Sequence, residues 1–242
     1  MGLRIFQKGF NYSQDGPGNR LVYHLQGCNL CCPWCSNPEG LAHDGGTEYS
    51  IEALMEEVQR SKMMFFDGGG VTLTGGEATM QFSAVREFLT ALHDAGIHTC
   101  IETNGICKRL PELFPVLDLL IMDIKHHDLL IHETVTGISN ELTIQNIAAA
   151  VAVRQPLALR IPLIGGFNAS DRDAFLFARL LTNLGIGQEV SIELLPYHEY
   201  GKSKYSALGM PYQMTDSAKV AALQAEHFKQ ILETAGIRII KT

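Results

Sequence analysis

Basic charge is scarce in this chain. Lys and Arg number 19 against 26 Asp and Glu, a formal net charge of −7. That balance excludes a broad nucleic-acid surface. No stretch approaches 18 consecutive apolar residues, so a helical membrane span is excluded. The first residues, Met1-Gly2-Leu3-Arg4-Ile5-Phe6-Gln7-Lys8, lack the apolar core of a secretory signal, and Phe6 stands where a myristoylation site needs Ser or Thr. The expected location is cytoplasmic. Linkers, repeats and low-complexity runs are missing too, which predicts one domain over residues 1–242. Tryptophan is down to a single residue, Trp34. Nor do the six cysteines form a disulfide framework: four lie within eight residues and two of these are adjacent. That spacing favours metal chemistry in a reducing compartment.

What is present is an alternation of strand and helix patterns. Strands are predicted at 21–26, 71–74, 97–103, 119–124, 157–163, 189–195 and 237–240. Helices are predicted at 50–66, 80–95, 140–153, 170–184 and 215–236, where apolar residues recur at helical spacing. About six alternations argue for an α/β fold with a parallel sheet and helices outside it. Several strands run into polar or glycine-rich endings: Gly75-Gly76-Glu77, Glu102-Thr103-Asn104-Gly105, Asp123-Ile124-Lys125 and Tyr197-His198. In barrel-like α/β folds the chemistry sits at the carboxyl ends of strands.

Cys28, Cys32 and Cys35 form a C-x3-C-x2-C triplet directly after the first predicted strand. A four-iron cube ordinarily takes four thiolates; three leave one iron open, which marks a catalytic centre. Zinc in a non-catalytic interaction module is the competing reading, but zinc usually wants four ligands and no second cysteine pair exists here. Cys31 reads as a packed or partly exposed thiol, Cys100 as core, and Cys107 has no evident partner. His126 and His127 read as solvated loop histidines. Asp123 and Lys125 are two apart on one strand and share a face.

Taken with Asp15-Gly16-Pro17-Gly18, Gly68-Gly69-Gly70, Thr103-Asn104-Gly105, Met122-Asp123-Ile124-Lys125, Arg160 with Pro162, and Glu193-Leu194-Leu195-Pro196-Tyr197-His198, the triplet resembles the radical S-adenosylmethionine (SAM) superfamily. The Asp-x-Lys and Leu-Leu-Pro-Tyr-His elements narrow the resemblance to the activating enzymes of glycyl radical enzymes. It implies a partial (β/α)6 barrel of the radical SAM type, one [4Fe-4S] cluster on Cys28, Cys32 and Cys35, and SAM chelating the open iron. Reductive cleavage of SAM would yield a 5′-deoxyadenosyl radical, which abstracts a hydrogen from a glycine α-carbon of a partner protein. It further implies SAM contacts from Trp34, Cys35, Ser36, Gly75, Gly76, Glu77, Asp123, Ile124, Lys125, Arg160 and His198, and a monovalent-cation site at Glu102, Thr103 and Asp123. Glu102 stands where the short relatives have Asp.

Many relatives carry a ferredoxin-like insertion after the cysteine loop. Here Pro38 to Tyr49 contain no cysteine, which marks the short form and favours a pyruvate formate-lyase-like target. Ser36-Asn37-Pro38-Glu39, by contrast, resembles the insertion-bearing relatives, and Asn19 replaces the family's usual Ile. The electron donor is expected to be an external flavodoxin or ferredoxin. The rival within the superfamily is an enzyme acting on a small molecule.

Overall fold

The structure, a computed structural model, describes residues 2–12, 14–66 and 68–240. Two compact units are built from interleaved stretches of chain. The first comprises Met1–Asn29, Glu39–Thr103 and Cys107–Ile121; the second comprises Leu30–Pro38, Asn104–Ile106 and Met122–Thr242.

In the first unit, β1 (Gly2–Tyr12) pairs antiparallel with β2 (Asn19–Leu25) and with β3 (Thr47–Ser50). Helix α1 (Ile51–Ser61) begins where Ser50 caps the Ala53 N–H and buries Ile51, Leu54 and Val58. Strand β4 (Gly70–Gly75) lies parallel to β2, and α2 (Phe82–Asp94) packs Val85, Phe88, Leu89 and Leu92 inward. Strand β5 (His98–Thr103) is parallel to β4. The parallel registers place Leu25, Gly75 and Thr103 at the same edge.

A charge lies inside this core. Arg20 on β2 is fully buried. Its Nε donates to the Thr72 hydroxyl at 2.9 Å, and Nη2 donates to the Val71 carbonyl at 2.5 Å. Nη1 reaches the Pro17 carbonyl and His98 Nδ1, while the Thr72 hydroxyl donates to the Asp15 carbonyl at 2.6 Å. The guanidinium thus ties the Asp15-Gly16-Pro17-Gly18 turn to the sheet, and five donors with a fixed fork suit that task.

Strand β6 (Leu119–Asp123) starts in the first unit and ends in the second. Asp128 then caps α3 (Leu129–Thr136), accepting from the Leu130 and Ile131 N–H groups, and Gly137 ends it in the left-handed region. Next come α4 (Glu141–Ala152), β7 (Leu157–Leu163) and α5 (Asp171–Asn183), which opens on a reciprocal Ser170–Asp173 capping box. The chain continues through β8 (Ser191–Pro196), α6 (Lys202–Ala207), α7 (Ala222–Thr234) and β9 (Arg238–Ile240). Strands β7, β8 and β9 are parallel in that order, and α5 packs on α7 through Phe177 and Phe228, with ring centroids 5.9 Å apart.

The α/β, mostly parallel architecture agrees with the sequence pattern; several boundaries differ from it. Strands β1 and β3 and helices α3 and α6 were not anticipated. The helix expected over 50–66 stops at Ser61, and Phe66 takes a positive φ of 48°. The helix expected from 215 starts at Ala222, because the preceding turn gives its Ala218 carbonyl to the Gly165 N–H at 2.8 Å. His126, expected in solvent, is 1% exposed.

Burial of neutral imidazoles makes this fold acid-sensitive. His132 on α3 donates from Nδ1 to the Ile138 carbonyl at 2.6 Å, and burial, helped by the nearby Lys125 charge, lowers its pKa from 6.5 to about 4. The unfolded chain therefore takes up this proton first as pH falls, and stability should decline from pH 6.5 toward about 4. His132→Asn keeps a donor at the Nδ1 position without a titrating ring. Chemical denaturation across that range should show about one proton less of pH dependence in the variant; equal slopes would reject the assignment.

Candidate functional site

In the first unit, β2 leads through Gln26 and Gly27 into Cys28. The Gln26 N–H donates to the Arg4 carbonyl at 2.9 Å, and the Gly27 N–H to the Gly40 carbonyl at 3.0 Å. The Gln26 side chain donates to the Glu39 and Ala42 carbonyls, which fixes the return segment. Strand β4 ends alongside: the Gly76 N–H donates to the Leu25 carbonyl at 2.9 Å and the Glu77 N–H to the Gly27 carbonyl at 2.8 Å. Gly75 has φ +114°, and a Cβ added at Gly76 would lie 2.3 Å from the Gly27 oxygen and 2.5 Å from the Gly40 oxygen. The glycine pair is therefore required by close backbone approach, whatever else it does.

Glu77 is 1% exposed. Its Oε1 accepts from the Thr79 N–H at 2.9 Å, the Thr79 hydroxyl at 2.6 Å and the Thr103 hydroxyl at 2.7 Å. A buried carboxylate needs such donors to offset desolvation. Glu102 accepts from the Thr74 hydroxyl at 2.8 Å. Two members of the candidate cation set, Glu102 and Thr103, are thus engaged with Thr74 and Glu77.

In the second unit, the cysteine loop turns tightly, with the Cys35 N–H donating to the Cys32 carbonyl at 3.1 Å. Cys32 is buried and Cys35 half-buried. Burial pushes the Tyr205 phenol up to about 12, and the charges of Cys35 and Cys32 push it the same way. Both thiols therefore lie near one phenol. Cys31 points elsewhere: its N–H and its thiol both donate to the Thr136 carbonyl, at 2.9 and 3.1 Å. Cys100 is core, as expected, and burial raises the Cys107 thiol, which is bonded to Thr79.

The Trp34 ring lies on Phe167, with centroids 4.8 Å apart, and Phe167 lies on His126 at 4.8 Å. His126 accepts the Asp128 N–H on Nδ1 at 2.9 Å, which leaves Nε2–H to donate to the Phe167 carbonyl at 3.2 Å. Burial, and then the His127 charge, lower its pKa, so the ring is a neutral structural element. His126, His127 and Asp173 place ligand-type atoms within 4.8 Å of one another, but both His126 nitrogens are spent on hydrogen bonds and His127 donates to Asp173 at 2.9 Å.

Asp123 and Lys125 meet in a 2.6 Å ion pair, with the Lys125 side chain 11% exposed. Ile124 between them is buried, and its N–H donates to the Arg160 carbonyl at 2.8 Å. The Arg160 Nε donates to Glu193 at 2.9 Å, the two residues being register partners on β7 and β8. His198 follows β8 and stacks on Tyr200 with centroids 4.0 Å apart. Ser36 follows Cys35 in the turn. The second unit thus joins Asp123, Ile124, Lys125 and Arg160 through direct contacts. Sequence reasoning missed Arg20, Phe167, Asn140, Asn168 and Tyr205. A buried polar side chain leaves no periodic trace, although Asn168 beside Gly165-Gly166 is a turn signal worth reading.

The Radical SAM superfamily model matches residues 22–178. The chain is 35% identical over 231 residues to the pyruvate formate-lyase 1-activating enzyme of Escherichia coli (strain K12), covering 93% of each protein. It is 28% identical over 289 aligned positions to the 4-hydroxyphenylacetate decarboxylase activating enzyme of Clostridioides difficile (strain 630), covering 92% of this chain and 90% of that protein. Among solved structures, a domain of a pyruvate-formate lyase-activating enzyme from Bacteroides vulgatus ATCC 8482 superposes with a TM-score of 0.59 at 29% identity, over 72% of this chain and 98% of that one. The expected fold class, α/β of the radical SAM type, is the class of that structure.

The crowding at Gly76 makes a direct forecast. Gly76→Ala has to move the Gly27 or Gly40 backbone. It should cost about 1–3 kcal/mol of stability, in the range of overpacking changes, and lower the iron bound per chain on anaerobic reconstitution. Unchanged melting and unchanged iron content would show that the close approach does not constrain the loop.

Proposed function

Because the chain belongs to the radical SAM superfamily and, within it, to the glycyl-radical-enzyme activating enzymes, we propose that its substrate is a glycyl radical enzyme of the pyruvate formate-lyase type. The observation that carries this reading is identity of 35% across 93% of both this chain and the pyruvate formate-lyase 1-activating enzyme. The protein is a radical SAM enzyme of oxidoreductase type that works with a [4Fe-4S] cluster and SAM. When bound, these supply one-electron reductive cleavage and a hydrogen-abstracting radical.

The residues fit that pair of cofactors. Cys28, Cys32 and Cys35 would supply three thiolates, the last two held in one tight turn by the bond from the Cys35 N–H to the Cys32 carbonyl. Cys31 is committed to Thr136 and is not a ligand. The SAM amino group is a donor and needs acceptors. The N–H groups of Gly76 and Glu77 are already donated to Leu25 and Gly27, so this role falls to carbonyls of the Gly75-Gly76-Glu77 turn. Lys125 would meet the SAM carboxylate and Asp123 the ribose or a monovalent cation. Arg160, oriented by Glu193, serves the SAM carboxylate or the substrate backbone. His198, Ile124, Trp34, Cys35 and Ser36 would line the nucleoside, with the Trp34 ring held against Phe167 and Phe167 against His126.

The whole of 1–242 acts as one radical SAM domain in this reading. Among the described residues no helix is long and apolar enough to cross a membrane. The enzyme works in the cytoplasm without nucleic acid or membrane, and takes its electron from a flavodoxin or ferredoxin.

Anaerobic reconstitution should load about four irons and four sulfides per chain. Cys28→Ala, Cys32→Ala and Cys35→Ala should each abolish reductive SAM cleavage, whereas Cys31→Ala should keep its iron; full cleavage by any of the first three rejects the ligand set. Reduced enzyme with SAM should raise a glycyl-radical doublet in the electron paramagnetic resonance (EPR) spectrum of added pyruvate formate-lyase. A doublet in a different glycyl radical enzyme, and none in that one, would reassign the target.

A further inference from the structure

Lys125 stands on a piece of backbone held by two buried side-chain amides. Asn168 and Asn140 are both fully buried. The Asn168 Nδ2 donates to the Lys125 carbonyl at 2.7 Å and to the Pro162 carbonyl at 2.7 Å, and its Oδ1 accepts the Ile164 N–H at 2.8 Å. The Asn140 Nδ2 donates to the next carbonyl along, that of His126, at 2.6 Å. Strand β6 has already ended at Asp123, and the ladder-like bond from Ile124 to the Arg160 carbonyl is its last extension. Beyond that point, consecutive carbonyls are held by asparagine amides rather than by a neighbouring strand.

Burying an amide is unfavourable unless its groups are bonded. Asn168 uses both of its donors and its acceptor. Asn140 keeps a buried Oδ1 with no partner among the described residues, so an apolar residue of similar size would pack there at less cost, and would leave the His126 carbonyl without its donor. Both asparagines converge on the residue pair that carries the Lys125 ammonium. They are short side chains with two rotatable bonds, so little freedom remains between the clamp and the backbone it holds.

We propose that Asn168 and Asn140 are positioning residues that fix Lys125 for the carboxylate of SAM. This rests on the reading of Lys125 given above. It identifies Asn168 as the stronger of the two, since it ties the end of β6 to the end of β7 through a single carboxamide.

The test is a double-mutant cycle on the reconstituted, cluster-loaded enzyme, with SAM affinity read from the change in the reduced-cluster EPR spectrum on titration. Lys125→Ala and Asn168→Ala should each weaken SAM binding, Asn168→Ala by about tenfold, the size of effect seen when a group orienting a ligand is removed. Added to Lys125→Ala, the Asn168 change should weaken binding by less than about twofold more, since both act through one ammonium. Iron content should stay at the parent level, and the KM for SAM should rise with little change in kcat. Asn140→Ala leaves the Asn168 clamp intact and serves where Asn168→Ala folds poorly; its effect should vanish in the Lys125→Ala background in the same way. Full additivity in the cycle, or loss of iron together with affinity, overturns the positioning role alone. Unchanged SAM affinity in Lys125→Ala overturns the reading of Lys125 itself, and the positioning role with it.

Discussion

The turn after β4 lies so close to the backbone leading into Cys28 that no side chain fits between them. Gly76 and Glu77 donate to Leu25 and Gly27, and Gly27 donates to Gly40. A Cβ at Gly76 would overlap two of the carbonyl oxygens in this arrangement. These main-chain bonds fix where the cysteine loop leaves the sheet. They also set the direction of Glu77, whose carboxylate then turns inward to the Thr79 and Thr103 hydroxyls. One steric constraint therefore positions the first cysteine, the glycine turn and a buried acid together. Main-chain bonds have no rotamers, so this registration loses less order to thermal motion than a side-chain contact would.

The second unit relies on a different device. Its strand-end loops are satisfied by buried side chains: Asn168 on Lys125 and Pro162, Asn140 on His126, and the His126 ring on Asp128 and Phe167. Buried polar groups are tolerated when they are bonded, and a bonded network specifies one conformation more sharply than apolar packing does. The Arg160–Glu193 pair follows the same logic. Its partners are register neighbours on adjacent strands, so its geometry is set by the sheet before desolvation has to be offset. Among these groups, Trp34, Phe167 and His126 form a chain of ring contacts, with successive centroids 4.8 Å apart.

Periodicity made the parallel strands and long helices legible, since each buries a continuous apolar stripe. Strand β1 was missed because residues 6 to 12 are half-buried or exposed, so no alternation marks that half. Helix α3 was missed because it spans only Leu129–Thr136 and is specified by its Asp128 cap and Gly137 terminator more than by an apolar face. At the site, the triplet and the strand-end motifs were readable because chemistry restricts residue type at fixed spacing. His126 was misread as solvated: a histidine in a polar run looks the same on paper whether it faces water or packs on Phe167. Arg20, Asn140 and Asn168 were invisible for a related reason. Their roles are hydrogen bonds to residues up to 78 positions away, and no local pattern encodes such partners.

The three thiols outside the triplet are held by the fold. Cys100 lies in the core of the first unit, Cys107 is bonded to Thr79, and Cys31 gives both its N–H and its thiol to Thr136. Three of six thiols are thus accounted for by packing and hydrogen bonding. The alignment to the Clostridioides difficile relative spans 289 positions against 242 residues here, so that protein holds segments with no counterpart in this chain. Additional clusters of the insertion-bearing kind would need thiols that this sequence does not contain.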